Sequence, residues 1–441
     1  MQAQTIAAVA TPPGRGGIAI IRISGPEAEQ ALQTLFRPAD KDNAYTSHLM
    51  RFGRVMVQDE VIDEGMAVLM RGPRSYTRED VAELHLHGGE YVVQRALQAL
   101  WDLGITPAQP GEFTRRAFLN GRVDLSRAEA VMQLISASGE RAARAAVRGL
   151  QGGSSAFVRQ AQEDLLEILG GVAAALDYPE EVEEHEAVGQ LLPGIQSLTK
   201  RLLAACDERG ARILEEGLEV AIVGKPNVGK SSLLNLLLGE ERAIVTDEAG
   251  TTRDIVRGSL YIDGLRVNLS DTAGIRDEVQ KVEAIGIARA RQAVQQADLV
   301  LAVLDAAGGL SAEDEEVMAL IRPYPHVLIL NKDDLGAQPS LPEGIRVSAL
   351  TGEGLDALRA AIAKAAGQPG EGALVNARHM ALARQAAGSL GQAAQAMAEG
   401  QPLDLCAVDL HAALYALGQI TGEQVDDALL DRVFARFCVG K

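Results

Sequence analysis

The run Gly224-Lys225-Pro226-Asn227-Val228-Gly229-Lys230-Ser231 fits the phosphate-binding loop G-x-x-x-x-G-K-S, and Glu219 to Val223 before it reads as a buried strand. Its glycines let the backbone turn tightly, so that successive N–H groups face phosphate oxygens. Lys230 would reach the β- and γ-phosphates, and the Ser231 hydroxyl would ligate Mg2+. Ser232 to Leu238 continues as a helix whose N-terminal dipole favours an anion. Strand, loop and helix in this order imply nucleoside triphosphate binding and hydrolysis.

Three further segments follow in the order that a guanine-nucleotide switch needs. Asp271-Thr272-Ala273-Gly274 closes the apolar stretch Val267 to Leu269. A carboxylate at that strand end can hold the Mg2+ shell, and Gly274 lets its N–H approach a γ-phosphate. Asn331-Lys332-Asp333-Asp334 follows the apolar run Val327 to Leu330. Asp334 would accept from guanine N1–H and the 2-amino group. Adenine lacks that donor pair, so a buried Asp334 would be left unpaired against it. Ser348-Ala349-Leu350 follows Ile345 to Val347 and suits backbone contact to the base oxygen. Each motif alone is weak, but all four in order, each at a strand end, are specific.

Gly250-Thr251-Thr252-Arg253-Asp254 lies between the first two segments. Its tandem threonines fit a switch that closes over Mg2+ and the γ-phosphate. Many small switch proteins carry a water-orienting Gln directly after Asp-x-x-Gly. Ile275 stands there in this chain and cannot orient water. The role falls to other groups: Arg253 or Arg276 as arginine fingers, a bound monovalent cation, or acids between Asp277 and Glu283.

The elements around these motifs divide the chain into four stretches. Residues 1–118 mix short strand-like runs (Gly17 to Ile23, Met66 to Met70, Val81 to Leu86) with Gly and Pro turns, which predicts an α+β domain. Residues 119–215 are Ala-, Leu- and Gln-rich and predict helices. Residues 216–368 alternate β-rich runs with helices, as a parallel-sheet α/β domain does. Residues 369–441 return to helix, with Leu429, Leu430, Val433, Phe434 and Phe437 as an apolar stripe. Two helical stretches around one α/β unit permit its insertion into a single helical domain, with Gly367 to Gly372 as the return hinge.

A length of 441 residues fits two to four domains. Hydrophobic residues make up 47% but aromatics only 3%, so the cores must be built mainly of Ala, Leu, Val and Ile. With no apolar run near 18 residues and no basic segment at the start, neither a membrane span nor secretion is expected. Cys206, Cys406 and Cys438 are few, scattered and odd in number, which fits a reducing cytoplasm without disulfides or a zinc site. His85 and His87 share a strand face, but with no third ligand nearby they do not make a metal site. Only eight of the 42 basic residues are lysines, and three of them are Lys230, Lys332 and Lys441, so a compact ammonium is expected to matter at those places.

The chain resembles the tRNA-modification GTPase family MnmE (TrmE) essentially end to end. The resemblance is carried by Thr11 to Gly17, Ser75-Tyr76-Thr77, Glu79 to Leu84, His87-Gly88-Gly89, Pro110 to Phe113 and Arg116 to Asn120. It continues through Pro226 to Asn235, Gly250 to Asp254 and Asp271 to Gly274, and ends in Phe437-Cys438-Val439-Gly440-Lys441. The resemblance implies an N-terminal folate-binding and dimerisation domain, a helical domain, and a Ras-like P-loop GTPase domain inserted into it. It implies K+ in the role of an arginine finger, held by Asn227, Thr246, Glu248 and Thr251, with Mg2+ on Ser231 and Thr252. GTP contacts are then expected from Asn227, Val228, Gly229, Lys230, Ser231 and Ser232, and from Thr246, Asp247, Glu248, Ala249, Gly250, Thr251 and Thr252. Asp271, Thr272, Ala273, Gly274, Asn331, Lys332, Asp334, Ser348, Ala349 and Leu350 complete that set. Glu283, which alone would read as a solvated helix acid, matches the family glutamate that orients water directly or through a second water.

In the N-terminal stretch, Arg22, Glu83, Arg122 and Lys441 match the family's contacts to a tetrahydrofolate derivative (5-formyl- or 5,10-methylene-tetrahydrofolate). Arg122 stands where relatives carry lysine, which keeps the charge and changes the donor geometry. The implied partners are a second copy of the chain, an FAD-containing MnmG-type protein in a heterotetramer, and tRNA, in the cytoplasm and away from membranes. The net charge of −18 sits poorly with a direct grip on tRNA phosphates. Arg141, Arg144 and Arg148 recur at helical spacing and would give a short basic stripe or a solvated helix face, and six acids fall between Asp177 and Glu186. Most tRNA affinity is therefore expected from the partner, or from arginines gathered only in three dimensions. A ribosome-assembly or RNA-binding switch is the rival reading, and it predicts an appended basic RNA module that the sequence does not show.

Overall fold

The structure is a computed structural model, described here for residues 4–40, 45–180, 183–239, 257–271, 291–336, 338, 341–368 and 372–441. The chain forms two compact units. The first comprises Met1–Met132, Gly149–Ala187 and Ala396–Lys441, and the second Gln133–Arg148 and Val188–Gln395.

The first unit is built on a seven-stranded sheet. Its strands are β1 (Ile6–Val9), β2 (Gly16–Ser24), β3 (Phe36–Pro38), β4 (Arg51–Val57), β5 (Glu60–Met70), β6 (Val81–Gly88) and β7 (Thr106–Pro107), in the order β3-β4-β5-β6-β2-β1-β7. Alternation along the central pair decides what each face presents. Ile21, Ile23, Leu84 and Leu86 are buried in a core with Leu32, Leu35 and Leu100 from helices Ala28–Leu35 and Glu90–Asp102. Arg22 on β2 faces Glu83 on β6 in register and points to the other side of the sheet from those core residues. The predicted C-terminal stripe is observed in part: Leu430, Phe434 and Phe437 are buried together with Leu125 and Ala128. The last residues then dock on β1. Gly440 sits at φ +93°, and an added Cβ would run into the Val9 carbonyl, so only glycine fits there.

One helix among the described residues, Leu403–Thr421, is apolar and long enough to cross a membrane, with a mean hydropathy of 1.2. Asp404 and Asp409 interrupt it, and it buries Cys406, Leu410, Ala413, Leu417 and Ile420 on one side while packing on helix Gly153–Asp177. That is the pattern of a core helix.

The second unit holds a six-stranded sheet of β8 (Leu218–Val223), β9 (Arg257–Ile262), β10 (Leu265–Asp271), β11 (Leu299–Asp305), β12 (His326–Asn331) and β13 (Ile345–Val347). The order is β13-β12-β11-β8-β10-β9, with only β9 antiparallel. β8 is flanked by β10 on one side and β11 on the other, so connections leave its end in opposite directions, which is where α/β sheets bind ligands. The Ras-like P-loop architecture implied by the family resemblance is thus present. Helices Lys230–Gly239 and Leu355–Ala366 supply Leu233, Leu234, Leu237, Leu358 and Ile362 to the core beside Val220, Ile222 and Leu301.

Candidate functional site

Register explains why residues far apart in sequence meet. Asp271 pairs with Ile222, Asp305 with Asn331, and Asn331 with Val347, so the ends of five parallel strands lie along one edge. The phosphate loop follows β8 at that edge. Its Val228 side chain is buried in the sheet core, which anchors the loop from below. Lys230 begins the following helix and is 8% exposed, and its Nζ donates to the carbonyls of Gly224 at 2.9 Å and Lys225 at 2.8 Å. Ser232 is exposed near the helix start, and Asn227 is exposed on the loop at φ +63°. Ser231, one step before Ser232, is exposed as well.

Asn331 is the hub of the edge. It is 1% exposed, its Nδ2 donates to the Val228 carbonyl at 2.7 Å, and its Oδ1 accepts from the Ala349 N–H at 3.0 Å. One side chain therefore ties the phosphate loop to the loop after β13. Ser348 is buried and donates to Asp334 Oδ1 at 2.6 Å, while Leu350 is 85% exposed. Lys332 Nζ lies 2.6 Å from Asp305 Oδ2. Burial would raise the Asp305 carboxyl, but hydrogen bonds from Lys332 and from backbone N–H groups hold it below its ordinary value. Asp305 was missed in the sequence, although an acid closing the apolar run Leu299 to Leu304 is the same kind of signal as Asp271.

Several expectations are corrected or fall elsewhere. Asp334 is exposed rather than buried, because it stands on a short 3-10 turn, Asp333–Leu335, beyond the strand end. Its selectivity for guanine would therefore depend on the base itself covering it. Arg141 is not part of a basic stripe. It donates to the Asp263 carbonyl at 2.9 Å and the Gly367 carbonyl at 3.1 Å and pairs with the Asp263 carboxylate, while exposed Arg144 pairs with Glu140. Cys438 is exposed, and all three cysteines are free. Thr246, Asp247, Glu248, Ala249, Gly250, Thr251, Thr252, Thr272, Ala273, Gly274, Glu283, Arg253 and Arg276 lie outside the described residues, as does the side chain of Asp271. Part of the Gly367 to Gly372 stretch lies outside them too. Ser231 and Asn227 bring side-chain oxygens to the loop where cations would sit, and those other positions would have to complete either shell.

A second cluster forms in the first unit on the sheet face opposite helices Ala28–Leu35 and Glu90–Asp102. Arg22 Nε donates to Glu83 Oε1 at 2.8 Å and its Nη1 to the Gly440 carbonyl at 3.3 Å, next to Lys441. Arg122 lies 4.6 Å from the Tyr76 ring centre and donates to the Tyr76 carbonyl at 2.9 Å, and Arg22 lies 5.5 Å from the same ring. The Tyr76 hydroxyl is held by Thr114 at 2.9 Å. The structure thus joins Glu83 and the terminal Gly440-Lys441 segment through Arg22, and Arg22 to Arg122 through the ring of Tyr76, a residue quoted in the sequence only as part of a motif. Burial would raise the Glu83 carboxyl, but hydrogen bonds from His85 and Arg22 hold it below its ordinary value. His87 instead pairs with Asp63 at 2.7 Å, which raises its pKa. Among the described residues no cluster of His, Cys, Asp and Glu could hold a metal ion.

Two family models match the chain: the GTP-binding protein TrmE N-terminus over residues 5–122 and the MnmE helical domain over residues 125–438. The chain is 44% identical to the tRNA modification GTPase MnmE of Synechococcus sp. (strain RCC307), over 99% of this chain and 98% of that protein. It is 45% identical to the tRNA modification GTPase MnmE of Symbiobacterium thermophilum, over 100% of both. Among solved structures, a point variant of Aquifex aeolicus Era bound to GDP and AlF4− is similar at 38% identity, with a TM-score of 0.26 over 33% of this chain and 55% of that one. With both models matched and relatives this similar along the full length, the chain belongs to the MnmE family of tRNA modification GTPases.

Proposed function

We propose that this chain is a K+-activated cytoplasmic GTPase that works with an FAD-containing MnmG-type partner on the wobble uridine, U34, of certain tRNAs. Together they would install an aminomethyl or carboxymethylaminomethyl group at carbon 5, drawing the one-carbon unit from a tetrahydrofolate derivative. The observation that carries the reading is the assembly at one sheet edge of Lys230, Asn331, Asp334 and Ser348, held together by Asn331.

In this reading the loop N–H groups and Lys230 cradle the β- and γ-phosphates. Asp334 and the backbone of the Ser348-Ala349-Leu350 loop select guanine. Mg2+ and K+ would neutralise charge on the phosphates, with Ser231 and Thr252 as Mg2+ ligands and Asn227, Thr246, Glu248 and Thr251 around K+. Glu283 would orient the attacking water, since Ile275 cannot. In the first unit, the guanidinium groups of Arg22 and Arg122 and the Lys441 ammonium suit the glutamyl carboxylates of a folate, and Glu83 suits the donor edge of its pterin. Glu83 already accepts from Arg22 and His85, so it would meet that edge with its remaining lone pairs. The dimer formed through the first unit, the MnmG-type partner and tRNA complete the assembly.

The test is reconstitution. The full chain, an FAD-containing partner, unmodified tRNA, GTP, a tetrahydrofolate one-carbon donor and glycine or ammonium are combined, and the U34 nucleoside is weighed by mass spectrometry. The expected result is a mass gain at U34 that needs GTP and the folate. Unmodified U34 with every component present and GTP consumed would sink the reading.

A further inference from the structure

The first variable position of the phosphate loop, Lys225, carries a contact that the nucleotide motifs do not explain. Its Nζ lies 2.7 Å from Asp314 Oδ2 and 3.0 Å from Ser311 Oγ. Ser311 and Asp314 form the capping box of helix Ala312–Ile321, which follows β11. The Asp314 side chain is 1% exposed. Its Oδ2 gathers Lys225 Nζ together with the Ser311 N–H and hydroxyl, whereas its buried Oδ1 has no hydrogen-bond partner among the described residues. Lys225 is the cation that pairs with this carboxylate, and a buried charge without a partner is costly.

The main chain of the same residue faces the nucleotide. The Lys225 carbonyl, with that of Gly224, accepts from Lys230 Nζ. Gly224 sits at φ +156°, so close to the Val303 carbonyl on β11 that an added Cβ would collide with it. The loop entry is therefore held from below by β11 and from the side by the capping box that follows β11.

We propose that Lys225 is a positioning residue for GTP binding, acting with Asp314 as a clamp that fixes the phosphate loop. The clamp sets where the Gly224 and Lys225 peptide groups stand, and through them where Lys230 waits for the phosphates. It touches no phosphate itself, so it serves GDP and GTP alike. The loss is then one of ground-state binding, seen in KM more than in kcat.

The experiment uses the full chain with three substitutions: Lys225→Met, Lys225→Arg and Asp314→Asn. Fluorescent GDP and GTP analogues report affinity well below the melting temperature, and steady-state GTP hydrolysis reports KM and kcat. Lys225→Met and Asp314→Asn should each weaken both nucleotides about tenfold, with kcat at saturating GTP within about twofold of the parent. Lys225→Arg should recover most of the affinity, and the Lys225→Met/Asp314→Asn pair should lose little more than either single change, because both break one contact. If Lys225→Met does not fold, Asp314→Asn keeps the helix cap and Lys225→Arg keeps the charge, and these two decide. Nucleotide affinity unchanged in folded variants, with only the melting temperature lowered, would overturn the proposal. So would additive losses in the double variant, or a fall in kcat with KM unchanged.

Discussion

The Asn331 amide donates to the Val228 carbonyl at 2.7 Å and thereby joins the end of β12 to the phosphate loop after β8. The two residues are 103 positions apart in sequence. With the Ala349 N–H on its other side, Asn331 ties the ends of β8, β12 and β13 into one arrangement.

Asn331→Ala removes a donor and an acceptor at a buried position. Leaving the Val228 carbonyl and Ala349 N–H without it should cost about 2 kcal/mol or more, roughly a thirtyfold loss of GDP affinity if the loops alone relax. Equilibrium GDP binding checks this. Affinity within twofold of the parent would mean that the hub is redundant.

Asp334 should be the base selector although it is exposed. In Asp334→Asn the side chain offers an amide donor where the carboxylate accepted, which suits the C2 oxygen of xanthine and not the 2-amino group of guanine. Competition between GTP and XTP should shift toward XTP by about tenfold or more. An unchanged ratio would remove Asp334 from base recognition.

These two residues show what the sequence could and could not convey. Local chemistry was readable: glycines, lysine and serine in the phosphate loop, and Asn-Lys-x-Asp after an apolar run, sit where strand ends must be. Exposure was not, because it depends on where the short turn Asp333–Leu335 leaves the sheet. Long-range partnerships were also hidden. Arg141 read as one member of a basic stripe or of a solvated helix face, but its partners at 263 and 367 are set by how the β9–β10 turn and the end of helix Leu355–Ala366 meet it. Tyr76 and Lys225 gave no sign beyond their motifs, since their roles come from Arg22, Arg122 and Asp314 reaching them across the fold.

Arg141→Ala should therefore act on stability. It removes hydrogen bonds to two carbonyls and a carboxylate pairing in the second unit, which should cost about 1–3 kcal/mol. Thermal melting should show the loss, while tRNA affinity of the folded variant stays close to that of the parent. A salt-sensitive drop in tRNA binding with normal melting would restore the basic-stripe reading.

Acid should loosen both units. Glu83, Asp305 and Asp314 are all held below their ordinary values of 4.5, 3.8 and 3.8 in the folded chain. A carboxyl depressed by folding contributes stability above its unfolded value, and that contribution is lost as pH falls through the lower folded value. Melting temperature should thus begin to fall as pH drops below about 4.5, and Glu83→Gln should flatten part of that slope. A slope unaltered in Glu83→Gln would mean that its pairing with Arg22 and His85 does not persist in solution.

The most direct measurement is GTP hydrolysis by the full chain in KCl and in NaCl at equal ionic strength. A strong K+-specific stimulation that disappears in Asn227→Ala is expected, with Lys230→Ala unable to bind nucleotide productively in either salt. Equal rates in the two salts would contradict cation-assisted hydrolysis and turn attention to Arg253 or Arg276 as the group that neutralises the transition state.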